Sequence, residues 1–504
     1  MMKSQMNPYA KVLDRNLPRV LSMISNDSLD ETIGVADRRY WAWKTVDFPN
    51  ASLQSLASGI AYLVYRKDLD LVFNSQNFVQ ISCNLISAIS TMTDKKGALS
   101  EAFPGEKSFC VTGQVLADCL EAISLLRKYL SYEEVQNLMK ILEPLAKFVL
   151  SSNETHGIIS NHQATNALAM LRWWSATGSD KAMNKAEEML SFIQLHSNSE
   201  GWYMEYTGAD PGYQTWTISS LSQIYKECPG ILPISFIDKG MKFLMSFALA
   251  NGSFANGTGS RLTSFIMALG PELIAKESIH ANFLANFVRN NITKRSFVSL
   301  DSIDEPNLAP FFNDIAKSAR CFDEMPLLNE NTTQNSSANY PSCGLYVRHN
   351  KNRSIIVSAN RGGLVCFAEC DKNSRIVGET VYQNSKGELF VPGRAVSVQL
   401  GEDNIRIYNE LRQYQIHFQS PLKFIVLRLY VTLFGRFNIP LRIMKNMLSR
   451  LLITRQGKKI GEAWREIDFN SMTIIEGVES REKLSIVDRK GTPYHMASAR
   501  YWSL

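Results

Sequence analysis

The chain has 504 residues, of which 45% are hydrophobic and 20% charged, and its formal net charge is +6. It is long enough for two or more domains, each with a sizeable core, and its composition is that of an ordinary globular protein. The modest charge gives no reason to expect nucleic-acid binding. The sequence also lacks a run of about 18 uncharged apolar residues, so we do not expect a membrane-spanning helix.

The N-terminal sequence MMKSQMNPYAKVLDRNLPRV has no apolar run followed by a small-residue cleavage site, so it does not resemble a secretory signal. The eight cysteines are scattered, and most lie among apolar residues, which indicates reduced thiols in a core. Cys366 and Cys370 are close in sequence, but no second pair at zinc-finger spacing accompanies them, so no metal site is expected. We expect a cytoplasmic protein; peripheral placement at the inner membrane and a periplasmic location are the alternatives.

From about residue 10 to residue 325, apolar residues recur at three- and four-residue spacing, which predicts helices. The clearest predicted helices are 52–65, 112–130, 132–150, 164–174 and 180–196. Short polar turns such as ATGSD separate them. A long succession of antiparallel helix pairs predicts a toroid or a solenoid, and the lack of a fixed-period repeat argues against a regular scaffold array.

The first chemically dense stretch between helices is DRRYWAWKTVDFPN, residues 37–50. Trp41 and Trp43 could stack on sugar rings, and Arg38 could meet a carboxylate. The same aromatic residues could instead hold the first helices together, and the stretch alone leaves both readings open.

The second stretch is IISNHQATNALA, residues 158–169, where Asn161 and His162 stand just before a helical pattern. Asn161 could cap this helix and His162 could hydrogen-bond to its end. Taken alone, the stretch favours the capping role.

The third stretch, EGWYMEYTGADPGYQT at 200–215, is predicted to be a loop because its glycines and its proline interrupt any periodic run. Tyr206 and Tyr213 carry phenols that could transfer protons, and Glu205 and Asp210 could orient them.

A fourth stretch, ANGTGSRLTS at 255–264, presents Arg261 on a glycine-rich turn. It is not a Walker A loop, because no Gly-Lys-Ser/Thr sequence ends it. Stacking rings, an amide, a histidine, tyrosines and arginines in successive loops at one end of a helical domain favour a long anionic sugar polymer as the ligand.

Residues 326–342, PLLNENTTQNSSANYPS, are polar and rich in Asn and Ser, which is typical of a linker. Beyond them, apolar residues alternate in short runs such as SIIVSAN and IRIYNEL, which predicts strands. We therefore expect an α+β multidomain protein with a helical domain at 1–325 and an antiparallel sheet domain, a β-sandwich, at 343–504.

One helical segment, at about 421–459, interrupts the predicted strands. It contains no acidic residue and carries nine lysines and arginines among strongly apolar residues. This composition is typical of a helix in peripheral contact with an anionic membrane. The alternative, which we favour from sequence alone, is an insertion whose basic face lies in solvent or meets an anionic substrate.

The order of NHQATNALA, EGWYMEYTGADPGYQT and GTGSR, followed by a β domain, resembles the heparinase II/III-like polysaccharide lyases and their alginate-lyase relatives. The resemblance covers nearly the whole chain in architecture, but only these short motifs in residues. It implies an incomplete (α/α) toroid packed on an antiparallel β-sandwich. It also implies cleavage of uronic-acid-containing polysaccharides by β-elimination, with no metal or organic cofactor.

By this resemblance, Asn161 and His162 match an Asn-His pair that neutralises the uronate carboxylate. Tyr213 is the candidate proton donor or base, with Tyr206 second, and Arg261 would stabilise the developing negative charge. The candidate substrate-binding residues are Arg38, Trp41, Trp43, Glu205, Tyr206 and Asp210.

Many members of this family have a histidine of the β domain near the cleft and a His-x-His-type metal cluster early in the sandwich. The comparable region here, RGGLVCFAECDKNSR, has no histidine, and His349 is only near it in sequence. A catalytic histidine and a structural zinc in the β domain are therefore not expected.

The leading hypothesis is a lyase of an acidic polysaccharide, acting in bacterial surface polysaccharide metabolism. A uronate C5-epimerase would share the proton abstraction, and an inverting glycoside hydrolase would use Glu205 and Asp210 as its two carboxylates. A non-catalytic, polysaccharide-binding component of an assembly or export machine is the alternative from a different class.

Overall fold

The structure is a computed structural model, and it describes residues 7–66, 74–324, 337–414, 420–435, 437–449, 457–480 and 482–487. The predicted order, helices first and an antiparallel sheet region second, is confirmed. The helices of the first region are α1 (Pro8–Met23), α2 (Arg38–Trp41), α3 (Leu56–Leu63), α4 (Ser75–Met92), α5 (Phe109–Leu126), α6 (Tyr132–Ser151), α7 (Ser160–Thr177), α8 (Asp180–Leu195), α9 (Pro211–Glu227), α10 (Ile234–Met245), α11 (Leu269–Ile274), α12 (Ile279–Asn291) and α13 (Leu308–Glu324).

Six of these helices form an inner ring through successive contacts. Helix α3 contacts α5, and the series continues through α7, α9, α11 and α13, which returns to contact α3. Helices α4, α6, α8, α10 and α12 pack outside the ring, and α1 packs on α13. Because each outer helix carries the chain back, the inner helices run parallel, and the loops before them meet at one end.

One helix of this ring is strongly apolar. The segment Phe109–Tyr129, which includes α5, is long and apolar enough to cross a membrane by length and composition alone. However, 78% of its most apolar window is buried inside the protein, as in the core helix of a globular domain.

The C-terminal region contains two antiparallel sheets. Its strands are β1 (Ala338–Tyr340), β2 (Leu345–Asn350), β3 (Arg353–Ser358), β4 (Leu364–Glu369), β5 (Arg375–Val377), β6 (Val381–Asn384), β7 (Leu389–Leu400), β8 (Asn404–Gln413), β9 (Lys459–Asp468), β10 (Ile474–Ser480) and β11 (Leu484–Val487). The first sheet has the order β1-β2-β3-β4-β5, and the second has the order β10-β9-β8-β7-β6-β11.

The first sheet lies between the helices and the second sheet. Val347 and Ile356, on one face, belong to the core that the helices share. Ile355 and Val357, on the other face, pack in a separate core with Ile407 of the second sheet. Because side chains alternate along each strand, one sheet supplies both cores.

Strand β1 lies inside the segment that the sequence predicts to be a linker, 326–342. Ala338 pairs with Val347 and Tyr340 with Leu345, so these residues belong to the first sheet. The preceding part of the predicted linker, up to residue 336, lies outside the described residues.

The predicted helical insertion contains α14 (Pro421–Phe434) and α15 (Asn438–Ser449), which follow β8. Residue 436 and residues 450–456 of the predicted segment lie outside the described part of the chain. Val431 and Leu441 of the two helices pack with Phe103, in the loop before α5. Lys107 Nζ, in the same loop, lies 2.9 Å from the carbonyl oxygen of Gly435.

The interior of the ring holds a network of buried charges. Lys317 Nζ lies 3.1 Å from Asp118 Oδ1 and 2.5 Å from Glu121 Oε2. Arg172 Nη1 lies 3.2 Å from the same oxygen of Glu121. Burial raises the pKa of Glu121, but Arg172 and Lys317 outweigh it and lower the pKa to about 2.

Replacing Lys317 by Met should lower the free energy of unfolding by about 3–5 kcal/mol, because Asp118 and Glu121 would stay buried with one cation fewer. Denaturant unfolding near neutral pH measures this loss. Lys140→Met, at an exposed position of α6, is the matched control and should change stability by less than about 0.5 kcal/mol. If both variants lose equally little, the network makes no net contribution to stability.

Candidate active site

Glu205 lies at the centre of the candidate site and is 3% exposed. It forms an isolated bridge with Ile159, just before α7, and Ser160 N donates a hydrogen bond of 3.1 Å to Met204 O. The next residue, Tyr206, has a φ of 58°, a left-handed conformation that is uncommon for a residue with a side chain. The backbone thus places Glu205 beside the N-terminus of α7.

Asn161 is the second residue of α7 and not its cap, so the capping role that the sequence favours is wrong. The cap position is Ile159, and Asn161 Nδ2 instead donates a hydrogen bond of 2.8 Å to Glu205 Oε2. The reason is the bridge between Ile159 and Glu205, which brings an acceptor within reach of the amide.

Tyr213 lies in the first turn of α9 and not in a loop, which corrects the prediction for residues 200–215. Asp210 caps this helix by accepting a hydrogen bond of 3.1 Å from Tyr213 N. Pro211 occupies the first helical position, where its fixed φ and missing N–H are both favourable. The proline therefore begins a helix at a point where the sequence analysis expects it to break one.

Asp210 is fully buried and joins two elements of the site. Besides capping α9, it accepts hydrogen bonds from Arg261 N, at 2.8 Å, and from the hydroxyl of Thr263. Gly212 packs so closely on Thr263 that a Cβ atom there would overlap its hydroxyl. Asp210, predicted to bind substrate, therefore holds the start of α9 against the loop that carries Arg261.

Arg261 reaches Glu205 from the opposite side to Asn161. Its Nη1 lies 3.3 Å from Glu205 Oε1. The guanidinium carbon lies 4.7 Å from the ring centroid of Tyr206 and 4.9 Å from that of Tyr213, which are cation–π distances. The structure thus places an amide and a guanidinium on one carboxyl group, and two phenol rings against that guanidinium.

The surroundings of Glu205 favour its neutral form. Burial raises the pKa of Glu205 to about 8, although Arg261 and Asn161 act in the opposite direction. Burial also raises the pKa of Tyr206 well above its usual value, so this phenol keeps its proton. The N-termini of α7 and α9, with their positive dipole ends, both lie beside this group.

His162 belongs to a second cluster beside the first. Its Nδ1 lies 2.5 Å from Glu154 Oε2, and His156 Nδ1 lies 2.6 Å from Glu154 Oε1. Burial lowers the pKa of His162, although Glu154 opposes this shift. We assign the proton of neutral His162 to Nδ1, facing the carboxylate, which makes Nε2 the basic nitrogen.

Within the described ranges, one group of side chains could hold a metal ion: Glu154, His156 and His162. Their ligand atoms lie within 4.8 Å of one another. Ligands of a tetrahedral zinc ion, each about 2.0–2.1 Å from the metal, stand roughly 3.3 Å apart. The two nitrogen–oxygen distances here are shorter: His162 Nδ1 and Glu154 form a hydrogen bond, whereas His156 Nδ1 lies 2.6 Å from Glu154 Oε1 without the geometry of one. The spacings are therefore tighter than those of a formed zinc site.

Three further residues near the site are missed by sequence reasoning: Glu154, His156 and Arg361. Arg361 lies on the turn after β3. Burial lowers its pKa, while the charges of Asp210 and Arg261 also act on it, so the sheet region brings a second guanidinium within electrostatic reach of the site. The sequence contained one indication of Arg361: it is the first residue of RGGLVCFAECDKNSR. The family resemblance leads us to expect a histidine in this stretch, and the stretch has none.

His349, the nearest histidine in sequence, lies at the boundary between helices and sheet. Its Nε2 lies 2.9 Å from Ser246 O, and its Nδ1 lies 2.8 Å from Ser354 Oγ. These contacts join β2 to the segment after α10, which is a structural role.

The predicted sugar-binding residues of the 37–50 stretch make their contacts elsewhere. Arg38 Nη1 donates to Ser22 O at 3.0 Å, and Trp41 Nε1 donates to Met23 O at 2.8 Å. Trp43 is 67% exposed. Arg38 and Trp41 therefore hold α2 against the end of α1, as the alternative reading of this stretch expects.

No protein-family model matches the sequence, and no curated protein matches it. Among solved structures, the xanthan lyase of Paenibacillus is similar, with a TM-score of 0.52 and 10% identity over 82% of this chain and 46% of the other. The chondroitin AC lyase of Streptomyces coelicolor A3, in complex with chondroitin sulphate, gives a TM-score of 0.49 and 8% identity over 82% and 67%. A family 76 glycoside hydrolase from a bovine Bacteroides thetaiotaomicron strain gives 0.44 and 10% over 64% and 79%.

The chain thus spans about half the length of the xanthan lyase, and at this identity the likeness shows the fold alone. The fold is similar to that of this xanthan lyase, whereas no match supports the heparinase II/III-like family specifically.

Glu205→Gln should change the pH dependence of stability. Because the pKa of Glu205 is raised from 4.5 to about 8, the folded state binds more protons than the unfolded state between these values, and the wild type loses stability as pH rises through them. The stability of the wild type relative to Glu205→Gln should fall by about 2–4 kcal/mol from about pH 5 to about pH 8.

Denaturant unfolding across this pH window measures the effect. Glu187→Gln, at an exposed position of α8, is the control and should leave the pH profile of stability unchanged. Parallel profiles for the wild type and Glu205→Gln would contradict the raised pKa.

Proposed function

We propose that the protein is a lyase that cleaves uronic-acid-containing polysaccharides by β-elimination, on an (α/α) toroid and β-sandwich like those of the heparinase II/III-like lyases. The observation that carries the proposal is one connected group: Asn161 and Arg261 both contact Glu205, and the rings of Tyr206 and Tyr213 lie against the Arg261 guanidinium. These groups are the hydrogen-bond donors and the positive charge that an enolate-like intermediate requires.

The first task of such a site is to neutralise the uronate carboxylate, which makes the C5 proton more acidic. Asn161 and Arg261 each have N–H donors beyond those that contact Glu205. With a pKa of about 8, Glu205 is mostly neutral near pH 7 and does not repel an incoming carboxylate. The positive ends of α7 and α9 add to the attraction for an anion.

The second task is proton transfer. In our proposal, His162 Nε2 removes the C5 proton, while Glu154 holds the imidazole through Nδ1 at 2.5 Å. The electron pair of the C–H bond forms the C4–C5 double bond, and the bond from C4 to the glycosidic oxygen breaks. Tyr213 donates its phenolic proton to that oxygen, and Arg261, 4.9 Å from the ring, stabilises the phenolate that remains. Solvent then returns a proton to Tyr213 and removes one from His162.

The hydrolase alternative is less well supported, because its second carboxylate would be Asp210. That carboxyl group is fully buried and accepts hydrogen bonds from two backbone N–H groups and a hydroxyl. It has no access to the water that an inverting hydrolase activates. A C5-epimerase shares the proton abstraction and is distinguished by its product.

Tyr213→Phe and Asn161→Ala should each lower kcat by about 100-fold or more, since one removes the proton donor and the other a donor to the developing charge. The assay follows the ultraviolet absorbance of the conjugated enoate product with a panel of uronic-acid polysaccharides. Tyr225→Phe, which removes a phenol at the far end of the same helix, is the matched control and should retain activity.

Two outcomes would contradict the lyase. Incorporation of solvent deuterium at C5 without an unsaturated product would identify an epimerase. Polysaccharide binding that is equal in the wild type, Tyr213→Phe and Asn161→Ala, with no turnover in any of them, would indicate a non-catalytic binding protein.

Arg361→Gln should raise KM by about 10-fold or more with little change in kcat, because the second guanidinium would bind the anionic substrate equally in the ground and transition states. Steady-state kinetics on the substrate found above measure this separation. Arg394→Gln, at an exposed position of β7, is the control. Equal KM values for the two variants would exclude Arg361 from substrate binding.

A further inference from the structure

More than half of the large apolar side chains that are exposed in the described part of the chain lie between residues 422 and 447, on α14, on α15 and between them. Single exposed apolar residues are common on protein surfaces, but a concentration of this kind marks an interaction surface. The helix pair therefore differs from the rest of the molecule.

On α14, four of the exposed apolar residues form one stripe. Leu422, Ile425, Leu429 and Leu433 are between 55% and 71% exposed, and their spacings of three and four residues place them on one face. Val431, on another face, is buried against the protein. A helix that packs by one apolar face ordinarily has a polar outer face, so the second apolar face of α14 requires a second apolar environment.

Helix α15 repeats this pattern. Ile439, Ile443 and Met447 are 52–65% exposed and follow one another at four-residue spacing. Leu441 and Met444 are buried and face the protein with Val431. Each of the two helices thus has an exposed apolar face. Its other face packs against the rest of the protein.

The attachment of this helix pair is specific. Arg428 Nη2 forms an ion pair of 2.9 Å with Asp47 Oδ1, in the segment before α3. Lys445 Nζ lies 3.2 Å from Lys107 O, in the loop before α5. A cavity of about 920 Å³ lies between α14 and these two segments. The helix pair is therefore fixed at a few points and stands out from the ring.

The charge around the stripes indicates what kind of partner binds to this surface. The segment 421–459 contains no acidic residue, and Lys423 and Arg442 are exposed at its surface. A symmetric contact with a second copy would place these like charges in one interface, which is unfavourable. An anionic surface with an apolar interior matches both the charge and the apolar stripes.

We infer that α14 and α15 dock the protein on an anionic phospholipid membrane, with the two apolar stripes in the boundary between headgroups and acyl chains. In this orientation the helices lie in the plane of the interface, and Lys423 and Arg442 contact the phosphate groups. The inference does not depend on the proposed lyase activity.

Flotation of the full chain with vesicles tests this inference, with pure phosphatidylcholine compared with a mixture that contains phosphatidylglycerol. The wild type should float with the anionic vesicles and should dissociate in high salt. Lys423→Glu with Arg442→Glu should weaken binding by about 25-fold or more, since each basic residue near such a surface contributes about fivefold. Ile425→Ser with Leu429→Ser and Leu433→Ser should weaken binding by about 100-fold.

The matched control is Ile279→Ser with Ile475→Ser, which removes apolar side chains that are 70% and 62% exposed outside the helix pair. This control should float as the wild type does, and far-UV circular dichroism should be the same for all variants. Absence of flotation with anionic vesicles in low salt, or equal flotation of the triple serine variant, would overturn the inference. A dimer in solution that the triple serine variant abolishes would also overturn it, because a second copy would then be the occupant.

Discussion

The parallel direction of the inner helices is the constraint on which the candidate site depends. Since every outer helix returns the chain to the same end, the loops before α7, α9 and α11 meet there. Asn161 and Arg261 are about a hundred positions apart in sequence, and in this arrangement both contact the carboxyl group of Glu205. The same arrangement directs helix N-termini, with their positive potential, toward whatever binds at this end.

Within this frame, two carboxyl groups have opposite roles. Asp210 is buried, but three donors satisfy its oxygens, so it fixes the loop of Arg261 to the start of α9. Glu205 is equally buried but has fewer partners, and its pKa is correspondingly raised to about 8. A buried carboxyl group of this kind is costly for folding, and such groups are typical of functional sites. The contrast explains why the proposal places Glu205, and not Asp210, beside the substrate carboxylate.

The sequence predicted those parts of the structure that local patterns determine. The helices, the change to strands and the helical insertion follow from hydrophobic periodicity. The start of α9 was predictable in principle, because Asp210 followed by Pro211 is a strong signal for a helix N-terminus, but the neighbouring glycines obscured it.

The partners within the site could not be predicted in this way, because they depend on tertiary contacts. Asn161 resembles a helix cap until the bridge between Ile159 and Glu205 supplies its acceptor. Arg361 enters from the turn after β3, in the sheet region, and no spacing in the sequence relates it to Arg261. The motifs were sufficient to nominate Tyr213 and Arg261, but not to distinguish a positioning carboxylate from a central one.

The location of the helix pair relates the two proposals. Helices α14 and α15 contact the segments before α3 and α5, at Asp47 and Lys107. These segments precede inner helices, and so they lie at the same end of the ring as the group around Glu205. A membrane that holds the outward stripes would therefore lie toward the end of the ring that carries the candidate site. An enzyme docked in this way would act on polymer close to the lipid surface, and the absence of acidic residues from 421–459 would favour the approach of an anionic chain.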